Sequence, residues 1–162
     1  MNDDPVDRLI DSWWQELPEV LYPSSELAKR IMVLAGQLNE STRQVLRELG
    51  LTTAEFDVIV SLRRGGSPYR QKPSELSRNL LLSSGGTSNV TNQLVRRGLV
   101  VREPDPVDGR GTQIQLTPEG IRLAEQAVKA SSAAHHELWA GLPEGTVEQA
   151  AKALRPLFKT KA

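Results

Sequence analysis

Ser84, Thr87, Ser88, Asn89, Asn92 and Gln93 gather hydroxyl and carboxamide groups into one stretch, Ser84 to Arg97, and Arg96 adds a guanidinium. A carboxamide donates and accepts at once, which matches the N6/N7 edge of adenine in a DNA major groove. Hydroxyls at a helix start, beside free backbone N–H groups and the positive dipole end, suit phosphate oxygens. On a helical wheel Thr87, Val90, Thr91 and Leu94 recur at i, i+3, i+4 and i+7 and form the packing face. Ser88, Asn89, Asn92, Gln93 and Arg96 fall opposite. A helix that meets only water normally shows Glu and Lys there. Gly85 and Gly86 remove side chains where the helix would crowd a DNA backbone or the preceding helix. The face is read as made to touch base edges.

A second cluster comes directly after. Asp108-Gly109-Arg110-Gly111 forms the tip between two β-like runs, Leu99–Arg102 and Thr112–Leu116. Its one guanidinium, with Asp108 as a pairing partner, can enter a minor groove or reach a phosphate. Upstream, Arg70 and Lys72 stand just before a short helical stretch and are candidate phosphate contacts. Arg63 and Arg64 are accounted for by the dipole at a helix C-terminus, and a phosphate contact is compatible with them.

Composition narrows the classes. The 162 residues contain no cysteine, which excludes a disulfide framework and a thiolate zinc site. His135 and His136 are adjacent and diverge on a helix, so no metal pair forms. No glycine-rich phosphate loop follows a strand, and no nucleophile meets a base. The chain is therefore read as a non-enzyme without metal or cofactor. No apolar run approaches the ~20 residues that cross a bilayer. The acidic start, Met1 to Asp7, lacks an apolar signal segment, so a cytoplasmic protein is expected. Net charge is zero, yet Leu51 to Leu116 holds nine basic residues against six acids, a net +3. A basic centre on an acidic scaffold fits a small module that contacts nucleic acid.

These side chains need elements to carry them. Val6, Leu9, Ile10, Trp13, Trp14 and Leu17 have helical spacing, ended by Pro18. A second helix starts at Ser24 or Ser25 and closes at Gly50. Thr52 or Thr53 caps a third, with Glu55 near its start. "KPSELSRNL" is a short helix with Pro73 in its first turn. The polar-faced helix and a hairpin come next. Thr117-Pro118-Glu119 opens a helix to about Ala140, and Pro143 to Phe158 forms the last. The predicted fold is mainly α with a small β-hairpin wing, a winged helix-turn-helix module joined to helical dimerisation regions. Residues 1–50 and 117–162 supply those regions and 51–116 the module. The terminal apolar faces are too extensive for one small module to hide, so a homodimer is expected, the usual form of a two-fold DNA reader. Trp13-Trp14 read as dimer-core aromatics, and Asp57 as an acid favoured by a helix dipole.

"LTTAEFDVIVSLRR" and "PSELSRNLLLSSGGTSNVTNQLVRRGLVVREPDPVDGRGTQIQLTPEG" resemble the MarR family of bacterial winged-helix regulators, and the resemblance extends over nearly the whole chain. It implies a homodimer on a palindromic operator of double-stranded DNA, with Ser84 to Arg97 in the major groove and Asp108 and Arg110 at the minor groove. "RLIDSWWQELPE" resembles the extra N-terminal helix of the family's urate-responsive branch. That likeness implies a ligand pocket using Trp13, five residues before Pro18, and Asp57. The branch's arginines in the recognition helix and wing are replaced by Val90 and Gly109. The expected effector is therefore another small molecule, phenolic or an aromatic anion. The rival reading is a winged-helix module for protein contact with incidental DNA binding. Steep loss of DNA affinity with salt separates the two.

Overall fold

The computed structural model describes residues 4–80, 84–105 and 111–158. The chain forms two compact units, Met1–Thr42 and Arg43–Ala162.

In the first unit, α1 (Pro5–Glu16) starts as its residues dictate. Asp4 caps it by accepting from the Val6 N–H at 2.8 Å, and Pro5 fills the first turn. Val6 and Ile10 are buried, and Leu17-Pro18 ends the helix in a single 3-10 turn, Pro18–Val20. The long helix α2 (Ser25–Glu48) begins in this unit. Its Arg30 gathers three carboxylates: Asp4 at 3.0 Å, Glu26 at 3.3 Å, and Asp7. The Val6 N–H is the largest influence on the Asp4 carboxylate. Together with Arg30 it holds the pKa below the ordinary aspartate range, against the opposing effect of burial.

The second unit holds the winged module and the C-terminal helices. Helix α3 (Thr53–Arg64) opens with a full capping box: the Glu55 N–H donates to Thr52 Oγ1 at 3.2 Å, and the Thr52 N–H donates to Glu55 Oε2 at 2.9 Å. A two-residue strand, β1 (Arg70–Gln71), precedes α4 (Pro73–Leu80). Helix α5 (Ser84–Arg96) then leads into β2 (Val100–Pro104) and β3 (Thr112–Leu116). The sheet is antiparallel in the order β1-β3-β2, with Arg70 opposite Gln115 and Arg102 opposite Ile114. The sequence predicts a two-stranded hairpin and the sheet has three strands; β1 is too short to leave a periodic signal and exists through its pairing with β3.

Gly98 makes the turn from α5 into β2. Its φ of +69° lets its N–H reach the Val95 carbonyl at 2.9 Å while the Leu99 N–H reaches Leu94 at 3.0 Å. This is the left-handed helix ending that glycine adopts without strain. Helix α6 (Pro118–Glu137) starts on the Thr117 cap, with the Gly120 N–H donating to Thr117 Oγ1 at 3.0 Å. It stops before the expected Ala140 because the N–H groups of Trp139 and Ala140 bond three residues back, tightening the chain into turns. After Gly145, at φ +79°, α7 (Thr146–Leu154) and a 3-10 turn (Arg155–Phe158) complete the described chain. Pro143 lies outside the last helix.

The core joins Leu46, Val58, Ile59, Leu62, Leu76, Leu94, Leu99, Val100, Ile114, Leu116 and Ala124. Each of its large aliphatic side chains contributes roughly 1.5–3 kcal/mol by leaving water. Leu76 of α4 and Leu94 of α5 are fully inside, so the outward faces of both helices are fixed by what they bury.

Candidate nucleic-acid interface

Helix α5 is held along its inner face and just past its end. Ser77 Oγ of α4 donates to Thr87 Oγ1 at 2.8 Å, and Thr91 Oγ1 donates to the Thr87 carbonyl at 2.7 Å. Both threonines are 2% exposed, so their hydroxyls are satisfied within the protein. Thr87 therefore corrects the sequence reading that counted it among DNA contacts. Its helical position puts it in the α4–α5 packing layer, turned inward. Beyond the last turn, Arg97 Nη1 lies 2.8 Å from Glu55 Oε1, tying α5 to the cap of α3.

The opposite face of α5 is open. Gly85, Ser88, Asn89, Asn92 and Arg96 present surface to solvent, and Gln93 is half-buried at the edge. Ser84 is the first residue of α5, but its side chain lies outside the described residues, as do Asp108 and Arg110. A Cβ built on Gly85 meets nothing within 4 Å, so crowding by the preceding helix is not what the glycine avoids.

Beside this face stands Arg102 of β2, which sequence reading counted only as a charge. Its Nη2 donates to Asn92 Oδ1 at 2.7 Å. The two residues belong to different elements, so no local spacing signals the contact. Between the start of α4, α5 and the wing strands runs a cleft of about 210 Å³, lined by Ser74, Ser77, Ser88 and Arg102 among others. Hydroxyls and one guanidinium supply its polar atoms, beside Pro73 and Ile114.

Arg70 is exposed on β1. Lys72 is turned differently: its Nζ sits 2.6 Å from Oδ2 of Asp105, which is 1% exposed. Asp105 also accepts from Gln113 Nε2 at 3.1 Å, and its N–H donates to the Gly111 carbonyl at 2.8 Å. A carboxylate this deep needs a cation, so Lys72 fastens the base of the wing to the lead-in of α4. Asp105 gave no distinguishing mark in the sequence.

The two residues assigned to a ligand fall in different units, Trp13 in the first and Asp57 in the second. In the first unit a cleft of about 280 Å³ is lined by Ile10, Leu21, Tyr22 and Trp14; Trp14, rather than Trp13, is on its wall. In the second, Asp57 lines a cleft of about 290 Å³ with Val60, Arg64, Asn79 and Leu80. Although the residue presents surface to solvent, partial burial of its carboxyl raises its pKa above the ordinary aspartate value. A larger cleft of about 490 Å³ lies between α3 and α6, lined by Val60, Arg63, Arg64, Glu125, Val128 and Lys129. Arg63 crosses it to Glu125 at 2.8 Å and stacks over the Tyr69 ring at 4.7 Å.

Helices α3 to α5 with the three-stranded sheet define a winged helix-turn-helix protein, and comparison with known proteins finds similar ones. A sequence model of the MarR family matches residues 49–111. The chain is 26% identical over 124 residues to the HTH-type transcriptional regulator PecS of Dickeya dadantii, covering 76% of this chain and 75% of that one. Among solved structures, the apo form of wild-type MarR from E. coli superposes with a TM-score of 0.72 at 27% identity, covering 85% of this chain and 98% of that one. A cysteine-to-serine mutant of MarR from E. coli complexed with operator DNA superposes with a TM-score of 0.68 at 26% identity, covering 85% and 99%. The chain is thus similar to MarR-family transcriptional regulators and shares the winged-helix fold of the MarR structures. Among the described residues no helix is long and apolar enough to cross a membrane.

Proposed function

We propose that the protein is a sequence-specific repressor that binds a palindromic operator as a homodimer and is released by a small aromatic or anionic effector. The observation that carries this reading is the exposed, uncharged face of α5, Ser88, Asn89 and Asn92, flanked by Arg96 and Arg102 and turned away from a satisfied core. Asn89, Asn92 and Gln93 read base edges, Ser84, Ser88, Arg96 and Arg70 hold phosphates, and Asp108 with Arg110 serves the wing tip. Lys72 acts through Asp105 by setting the wing base. The MarR mutant complexed with operator DNA supports the groove-reading role.

Dimerisation is inferred from apolar surface that no part of each unit covers. In the first unit Leu9, Trp13, Trp14, Ile31 and Leu34 are exposed; in the second Leu138, Val147, Leu157 and Phe158 are, the last at 82%. A second copy is the natural cover for such faces. For the effector, Trp13 is proposed as a contact within the first unit and Asp57 as one within the second. Asp57 shares its cleft with Val60, Leu80 and Arg64, apolar walls and a cation that suit an aromatic ring carrying an acid.

The test is binding to the DNA upstream of the protein's own gene as salt is varied. A dimer reading the groove loses affinity with a log–log slope near about −0.9 per neutralised phosphate. Binding that ignores salt, or that prefers no sequence, overturns the reading. Titrating the DNA-bound protein with urate and with salicylate-type acids tests the effector. Release by urate at low micromolar concentration rejects the assignment to a different ligand.

A further inference from the structure

The contact between wing strand and recognition helix decides more than rigidity. A guanidinium has five N–H donors and no acceptor. The amide atom facing Arg102 is therefore the oxygen of Asn92, on chemical grounds alone, and at 2.7 Å the bond is a short, charge-assisted one. With one lone pair of its oxygen engaged beside a cation, the exposed Asn92 offers its NH2 group as the favoured free end. The guanidinium retains further N–H groups beside it, so the pair presents donors and positive charge to whatever approaches.

We infer that Arg102 is a specificity-determining residue: by holding Asn92 Oδ1 it turns Asn92 from an adenine reader into a reader of acceptor-only base edges. The usual asparagine contact with adenine needs the amide oxygen to accept from N6–H while the NH2 donates to N7. Arg102 occupies one lone pair of the oxygen and places a cation beside it, which disfavours approach of the N6–H donor. Guanine, with O6 and N7 both accepting, fits the donor pair instead; thymine, with O4 alone, fits partly. This inference rests on the DNA-binding reading above and extends it to one base pair.

The experiment is selection from randomised DNA by the full-length protein and its variants. Asn92→Ala first locates the base pair Asn92 reads, as the position where selection relaxes. At that position the wild type should prefer guanine over adenine by about ten-fold, the lower part of the range for one bidentate contact. Arg102→Met frees the amide and should erase or invert that preference there while leaving other positions as they were. Arg102→Lys, which keeps a donor, should retain much of it. In the Asn92→Ala background Arg102→Met should change nothing further at that position. The inference is overturned if Arg102→Met weakens all sequences alike and lowers the salt slope by about 0.9, the mark of a simple phosphate contact. It also fails if the wild type prefers adenine there. A wild type that selects no sequence at all removes the DNA-reading role, and this inference with it; wild-type selection that survives while Arg102→Met is silent removes this inference alone.

Discussion

Arg97, one residue beyond α5, places Nη1 2.8 Å from Oε1 of Glu55, whose other oxygen closes the capping box of α3. One buried carboxylate thus fastens the end of α5 to the beginning of α3. Burial pushes the Glu55 pKa up, but the Thr52 N–H, the Arg97 guanidinium and the Thr52 hydroxyl together outweigh it, and the folded value lies below the ordinary 4.5.

A depressed carboxylate pKa stabilises the fold above its unfolded value, and that contribution disappears as pH falls through the folded value. Glu55→Gln should therefore lower stability by about 1–2 kcal/mol at neutral pH. The gap to wild type should close as pH drops below 4.5. Urea unfolding at a series of pH values checks this. A gap that stays constant into acid would show that the carboxylate charge is not what counts.

Gly120 brings the start of α6 against the backbone of Leu99, just ahead of β2. A Cβ there would stand 2.0 Å from the Leu99 carbonyl oxygen, which is backbone and cannot swing aside. Gly120→Ala should cost about 1–3 kcal/mol through a forced shift of the helix start. A thermal melt should show the midpoint down by several degrees; an unchanged midpoint would mean that α6 adjusts freely.

Gly85 predicts the opposite sign. Nothing in the protein lies within 4 Å of its added Cβ, and it sits in the first turn of α5 with ordinary helical geometry. Gly85→Ala should leave stability equal or raise it by up to about 1 kcal/mol. If α5 enters the groove as proposed, operator affinity should fall, because the new methyl projects from its open first turn. Unimpaired affinity beside unimpaired stability would show that the glycine has no role at the interface.

Asp57 bears a penalty that folding alone does not require. Its raised pKa means that the charged form is disfavoured in the folded state; the fold is least burdened below the ordinary 3.8 and loses stability as pH rises through the folded value. Asp57→Asn should therefore raise the melting midpoint at neutral pH and have no effect in strong acid. If the carboxyl serves an effector, the same variant should no longer release DNA on effector addition. A destabilised Asp57→Asn at neutral pH would contradict the burial argument.

What could be read in the sequence is what depends on near neighbours. The Thr52–Glu55 box, the Thr117-Pro118 start of α6, the break at Leu17-Pro18 and the glycine endings all rest on contacts within a few residues, and each lies where its local chemistry required. Helical periodicity likewise separated Leu94 and Thr91, inside, from Ser88, Asn89 and Asn92, outside. The same periodicity placed Thr87 inside, against the chemical attraction of its hydroxyl, and packing prevailed.

Tertiary structure decided everything that joins distant positions. Strand β1 has two residues and becomes a strand only by pairing with β3. Lys72 is drawn to an aspartate at the wing base, and Arg102 acquires its role by lying across Asn92. Local rules fix which face of each helix is apolar, because that depends on backbone geometry alone. Which polar side chains then meet depends on how the buried faces stack, and no spacing along the chain records that angle.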